Sequence, residues 1–192
     1  MKNIAIFASG TGTNAQKIME RFAQHSLAQV TLVISNKPKA LVLEKAQNFG
    51  VATQIIHRDS FYHSDEVVQS LKKQQIDLVV LAGFLWLIPQ NLIAAFPDRI
   101  LNIHPALLPK YGGKGMYGMR VHEAVVANQE NESGITIHYV NEHYDEGKII
   151  FQKSCPVVAE DTPSDVAKKV QVLEHQHFPE VVEQLVKKLS NQ

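Results

Sequence analysis

Asn102 and His104 stand two residues apart in LNIHPALLPKYGG, Leu101 to Gly113. An amide donates hydrogen bonds and an imidazole donates when protonated, so this pair can stabilise a tetrahedral oxyanion. The leading residues read as a strand, in which alternate side chains share a face. Asn102 and His104 then project together while Leu101 and Ile103 point the other way. Pro105 pushes His104 toward extended geometry and Pro109 limits the loop beyond, leaving the imidazole at a strand end on a restrained backbone. A lone histidine there is usually a satisfied structural residue. The neighbouring Asn, and the carboxyl end of a strand as the place where α/β sheets bind ligands, turn the reading toward function.

Proton transfer at such a pair needs a third group. VNEHYDEGKII, Val140 to Ile150, offers Asp145 in a Gly-containing connection, and a carboxylate near His104 would raise its pKa and hold its charged form. By pattern Asp145 is equivalent to Glu142 and Glu146, each of which also reads as a solvated loop acid. A second candidate site lies near the start of the chain. In ASGTGTNAQ, Ala8 to Gln16, Gly10 and Gly12 let the backbone turn so that consecutive N–H groups face outward at a helix start, a nest for phosphate. Gly10-x-Gly12-x-x-Ala15 meets the loose dinucleotide fingerprint, but the second strand ends in ISNKPK, with Asn36 where a ribose-binding acid belongs. No Gly-Lys-Ser/Thr follows the glycines, which excludes a Walker loop. A terminal monophosphate held by the Gly12 and Thr13 amides, with Asn14 at or near the helix cap, fits better. A tight turn without a ligand is the plain alternative.

The elements that must position these residues follow from hydrophobic periodicity. Short apolar runs alternate with segments of helical period, the pattern of βα units around a largely parallel sheet. Asn3 to Ala8, Val30 to Ser35, Val51 to Ile56 and Asp77 to Gly83 read as strands buried on both faces, and Arg99 to His104 as a fifth. Gly134 to Val140 and Lys148 to Val158 alternate more, as strands nearer a sheet edge do. Helices are expected over Asn14 to Gln24, Ala40 to Phe49 and Ser64 to Gln74. A last helix starts at Thr162-Pro163, with Asp165 in its first turn, and ends near Leu189, with Pro179 kinking or dividing it.

The chain has 192 residues, 45% of them hydrophobic, enough for one sizeable core, so a single domain over residues 1–192 is expected. Its 19 basic and 19 acidic residues balance without a block of like sign, which argues against a nucleic-acid or membrane-surface partner and for small-molecule substrates. One cysteine, Cys155, cannot staple the fold, and the N-terminus lacks a signal-type apolar run, so a cytoplasmic protein is expected. No Cys/His cluster has zinc spacing, and no metal is expected.

SGTGTN, VVLAGFL, LNIHPALLPKYGG, GITIHYV, YDEGKII and VQVLEHQHFP occur in an order and spacing that resembles the folate-dependent formyltransferase family, and within it the phosphoribosylglycinamide formyltransferases. The resemblance spans nearly the whole chain. It implies an α/β fold, a Rossmann-like three-layer sandwich whose mostly parallel sheet becomes mixed toward the C-terminus, in a monomer or homodimer. It also implies direct transfer of a formyl group from 10-formyltetrahydrofolate to an amine through a tetrahedral intermediate, without a covalent enzyme adduct. Carried over by motif, Asn102 and His104 would stabilise the oxyanion, while Asp145 would keep His104 charged and assist proton transfer. Gly12, Thr13 and Asn14 would hold the ribonucleotide phosphate, and Gln171 and Glu174 would contact its ribose or phosphate end. The folate would lie against Leu85, Trp86, Leu87 and Ile88 and against the loop of Asn141, Glu142, His143, Tyr144 and Asp145.

Two departures stand out. Relatives often carry Arg where this chain has Trp86. The glycine-rich stretch from Pro109 to Arg120 is longer than in many members, and reads as a lid or a plain surface loop. The resemblance does not assign the basic residue that some relatives contribute near Arg58 to Asp65. A formyltetrahydrofolate deformylase would carry an extra N-terminal domain, and a methionyl-tRNA formyltransferase a C-terminal domain and basic surface, neither of which is expected here. A non-catalytic nucleotide-binding module would rest on the glycine turn alone.

Overall fold

The computed structural model describes residues 1–191. Seven strands, β1 (Lys2–Phe7), β2 (Ala28–Ser35), β3 (Ala52–Ile55), β4 (Ile76–Leu81), β5 (Ile100–His104), β6 (Glu132–Tyr139) and β7 (Ile149–Pro156), form one sheet in the order β3-β2-β1-β4-β5-β6-β7. The pairs from β3 through β5 are parallel, and β6 and β7 each join antiparallel, giving the mostly parallel, C-terminally mixed α/β sheet expected from the sequence. Helices α1 (Thr13–Phe22), α2 (Leu41–Asn48), α3 (Arg58–His63), α4 (Glu66–Lys73), α5 (Gln90–Ala95), α6 (Met119–Ala127) and α7 (Pro163–Ser190) complete the chain.

Strand alternation sorts the sheet into two cores. Ile4, Ile6, Val33, Leu101 and Ile103 face the side covered by α1, α2, α6 and α7. Ala5, Phe7, Leu32, Ile34 and Ile100 face the side of α3, α4 and α5. Each strand of the interior therefore buries both faces, which is why these runs are continuously apolar.

Several expectations need correction. β3 is the sheet edge and is largely exposed rather than buried on both faces. β7 is the other sheet edge and β6 lies next to it, nearer the edge as expected, but β6 is buried from Ser133 to His138 rather than alternating, because β7 pairs beyond it and α7 packs over it. The last helix is not divided: α7 runs through Pro179, which is itself buried beside Phe178, Val181 and Val182. Burying such side chains stabilises by about 1.5–3 kcal/mol each, which offsets the roughly 3 kcal/mol cost of an interior proline. Its start is as expected, with the Thr162 side chain accepting from the Asp165 N–H and Asp165 reaching back to Thr162. The six-residue helices α3 and α5 and the nine-residue α6 are additions to the expected elements.

The topology also locates the site. β1 and β4 are adjacent, yet the chain leaves them toward opposite ends of the sheet, so their carboxyl-end loops diverge and open a crevice. β5 is the next strand, with Asn102 in register with Leu81 of β4.

Candidate active site

A cavity of about 1000 Å³ occupies that crevice. Its lining includes the glycine turn from Gly10 to Asn14, the turn from Gly83 to Ile88, Asn102 and His104, Gly113 to Arg120, and Gln171 and Glu174 of α7. His138, His143, Tyr144 and Asp145 also line it. Asn141 and Glu142 lie outside the lining; the Asn141 side chain instead accepts a hydrogen bond from the His143 N–H at 3.0 Å.

The polar centre sits where β5, β6 and the loop after β6 meet. Asp145 adopts φ 59°, a left-handed conformation that Asp tolerates better than most residues. This turns its carboxylate inward: Oδ2 lies 3.4 Å from His104 Nδ1 and accepts from the Gly113 N–H at 3.0 Å, and Oδ1 accepts from Asn102 Nδ2 at 3.3 Å. Glu142 and Glu146 are exposed. Gly147 two residues on permits the turn, because a Cβ there would lie 1.6 Å from the Tyr139 carbonyl oxygen.

His138, which sequence reasoning missed, completes the cluster. Its Nδ1 faces the Tyr139 carbonyl at 2.8 Å and must donate to it, so in the neutral ring Nε2 accepts from Asn102 Nδ2 at 3.1 Å. Its one sequence signal was a histidine inside the apolar run GITIHYV. His104 Nε2 likewise donates to the Tyr111 carbonyl at 2.7 Å. Every N–H of Asn102 and His104 is thus engaged within the protein, and a bound oxygen must exchange with one of these partners.

Burial pushes the His104 imidazole below its usual pKa, against the raising effect of the Asp145 carboxylate and the Tyr111 carbonyl. The protonated ring therefore releases its proton more readily than a free imidazole. Burial opposes ionisation of Asp145, but the nearby His138 ring, the His104 charge and the Gly113 N–H together hold its carboxyl below the usual carboxylate range.

At the glycine end, Gly12 caps α1 in a left-handed conformation (φ 69°), with no side-chain cap and no acid in the first turn. The first N–H groups of α1 are left open at the positive helix end, the arrangement that binds anions. A Cβ on Gly12 would lie 2.4 Å from the Val42 side chain, so only glycine lets the turn pass α2 so closely. Glu174 follows Val170 and precedes Phe178 at four-residue spacing, which places it on the buried stripe of α7. It accepts from Asn14 Nδ2 at 3.1 Å, while burial raises its carboxyl above the usual range. Asn14 Oδ1 is buried without a partner, an acceptor waiting for a donor.

At the opposite end, the turn after β4 is braced by the Leu85 N–H donating to Ser9 Oγ at 3.1 Å and by the Tyr62 hydroxyl donating to the Leu87 carbonyl at 3.1 Å. Trp86 packs against Phe61 and Tyr62, with the Arg58 guanidinium over its ring at 6.0 Å. A positive charge thus stands beside Trp86. Among the described residues no group of three His, Cys, Asp or Glu side chains is placed to hold a metal ion, and no helix is long and apolar enough to cross a membrane.

Residues 2–182 match the family model described as formyl transferase. The phosphoribosylglycinamide formyltransferase of Bacillus subtilis is 33% identical over 191 residues, covering 97% of this chain and 95% of that protein. The chloroplastic enzyme of the same name from Arabidopsis thaliana is 45% identical over 187 residues, 94% of this chain, but this chain spans only 64% of its length. The crystal structure of phosphoribosylglycinamide formyltransferase from Bacillus halodurans superposes with a TM-score of 0.86 at 37% identity, covering 98% of this chain and 97% of that one. With a family match over residues 2–182, nearly its whole length, this chain belongs to the formyl transferase family.

Proposed function

We propose that this chain, acting as one formyltransferase domain, transfers the formyl group of 10-formyltetrahydrofolate to the amine of 5-phosphoribosylglycinamide, a step of purine biosynthesis. The observation that carries this reading is the meeting, in one cavity, of an uncapped glycine turn suited to a phosphate and the Asn102–His104–Asp145 cluster suited to an oxyanion. Relatives named for this reaction support it.

The Gly12, Thr13 and Asn14 N–H groups hold the ribonucleotide phosphate, and Glu174 accepts from a ribose hydroxyl, with Gln171 at the rim. The apolar turn from Leu85 to Ile88, with His143 and Tyr144 across the cavity, holds the folate. The cavity volume and the backbone polar groups of that turn not already engaged fit such a ligand. When bound, 10-formyltetrahydrofolate supplies an electrophilic formyl carbon.

Asn102 exchanges its long contact with Asp145 for the formyl oxygen, and His104 Nε2–H turns from the Tyr111 carbonyl to the same oxygen, so that both donate as negative charge develops there. Asp145 holds the imidazolium during this step. Because burial makes that imidazolium a readier acid, it can then give its proton to the leaving nitrogen. The attacking amine must be neutral, and the proton it sheds must go to a base in the cavity.

Replacing His104 by Ala tests the reading. Turnover should fall by about 10²–10⁴-fold, the usual worth of acid–base catalysis, while titration shows ribonucleotide binding retained. Unchanged turnover would remove His104 from the chemistry and favour a binding module.

A further inference from the structure

Tyr111 meets His104 through its backbone, while its side chain is tied at the far end to the close of α6. Its carbonyl accepts from His104 Nε2 at 2.7 Å. Its hydroxyl donates to Glu130 Oε1 at 2.8 Å and accepts from Asn128 Nδ2 at 3.0 Å. Both partners are fixed where α6 stops, since the Asn128 N–H donates to the Ala124 carbonyl at 3.0 Å and the Glu130 N–H to the Val125 carbonyl at 3.2 Å. Lys110 closes the group, with Nζ 2.9 and 3.1 Å from the two Glu130 oxygens. Lys110, Tyr111, Asn128 and Glu130 all lie outside the lining of the cavity that holds Asn102 and His104.

The backbone of Tyr111 explains why an anchor is needed. Its φ of 57° is left-handed, a conformation that a bulky residue rarely adopts and that persists only where the surroundings hold it. That turn aims the carbonyl at His104, and two residues on the Gly113 N–H reaches Asp145 Oδ2 at 3.0 Å. One short segment thus braces both members of the His104–Asp145 pair. With an acceptor at each ring nitrogen, the imidazole is held in one orientation, and both contacts favour its doubly protonated form against the opposing effect of burial.

We propose that Tyr111 is a positioning residue for the formyl transfer assigned above: its hydroxyl, held by Glu130 and Asn128, keeps its carbonyl on His104 Nε2 and so sets the orientation and protonation of that ring. The end of α6, outside the cavity, thereby governs the imidazole from which the formyl oxygen draws its hydrogen bond. The kinetic part of this inference rests on the proposed function, and the rest on hydrogen bonds alone. Removing the hydroxyl leaves the ring free to stay packed on the core but releases the far end of the link. The carbonyl then no longer has a fixed place, and the Nε2 contact that raises the His104 pKa weakens. The other titratable groups around His104 are Asp145, His138 and His122, none of which that change touches.

The experiment compares Tyr111→Phe, Glu130→Ala and Lys110→Ala with the unmodified protein. An NMR titration of the His104 ring comes first, because it needs no turnover. Tyr111→Phe and Glu130→Ala should both titrate His104 at lower pH than the unmodified protein, and Lys110→Ala should not. With 10-formyltetrahydrofolate and 5-phosphoribosylglycinamide, Tyr111→Phe should lose about tenfold in kcat with both KM values changed less than about twofold. Because the reaction uses the His104 imidazolium, the fall of kcat with rising pH should also move to lower pH. A His104 titration unmoved in Tyr111→Phe would overturn the proposal, whatever the turnover. So would a kcat within about twofold of the unmodified protein, or a loss of kcat with an unmoved pH profile, which would leave the hydroxyl a packing contact. Equal effects in Lys110→Ala would also overturn it by assigning them to the ion pair. Absence of turnover in the folded unmodified protein would instead remove the transferase reading, and with it the kinetic part alone.

Discussion

Asp145 Oδ2 lies 3.4 Å from His104 Nδ1 while the opposite ring nitrogen donates to the Tyr111 carbonyl at 2.7 Å, so the imidazole is clamped between an anion and a dipole. Replacing Asp145 by Asn keeps the shape and removes the charge that favours the imidazolium. The kcat should fall by about 10²-fold or more with the ribonucleotide KM little changed, and an NMR titration should find the His104 pKa lower still. An unaltered kcat would separate this carboxylate from catalysis.

Gly12→Ala should harm both folding and binding. The left-handed backbone costs a non-glycine residue about 1–2 kcal/mol, and the clash with Val42 adds roughly 1–3 kcal/mol of overpacking. Denaturant unfolding should report a loss of about 2–5 kcal/mol, with ribonucleotide affinity reduced even where the protein stays folded. Normal stability would mean that the turn does not pass α2 this closely in solution.

The parts of the fold legible in the sequence were those where one local pattern decides. β1, β2 and β4 announce themselves because strands buried on both faces carry near-continuous apolar runs rich in Ile and Val. The Thr162 cap reads from four residues. The edge position of β3 did not, because ATQI carries no mark of which neighbour it lacks, and α3 and α5 are six residues each, too short for periodicity to show. The same divide runs through the site. Asn102 and His104 were legible as a strand-end pair, but Asp145 could not be told from Glu142 and Glu146. What distinguishes it is the left-handed turn beside Gly147, set by packing against Tyr139. His138 joins Asn102 only through the β5–β6 register, which a linear pattern does not contain.

Trp86→Ala should act on one substrate only. The ring contributes a stack with Phe61 and Tyr62 beneath Arg58 at the end of the cavity assigned to folate. Losing such contacts is worth about 1 kcal/mol, so the KM for the formyl donor should rise about fivefold to tenfold and that for the ribonucleotide should not. An equal rise in both would argue against a folate-specific wall.

Acid should weaken the docking of α7 on α1. Glu183 of α7 is ringed by Lys187, Arg21 and His25, and the Lys187 and Arg21 contacts hold its pKa to about 2 against a usual 4.5. Between those values the unfolded chain binds the proton and the folded chain does not, so stability is present above the upper value and is lost as pH falls toward the lower one. Unfolding free energies measured across this window should drop with falling pH, and Glu183→Gln should flatten the slope. An unchanged slope in that variant would assign the acid loss to other groups.

The most direct measurement follows both products in a reaction of the purified protein with 10-formyltetrahydrofolate, with and without 5-phosphoribosylglycinamide. Tetrahydrofolate should appear only when the ribonucleotide is present, in amount equal to the formylated ribonucleotide. Tetrahydrofolate released without the ribonucleotide, or none released by folded protein, would contradict formyl transfer between these two substrates.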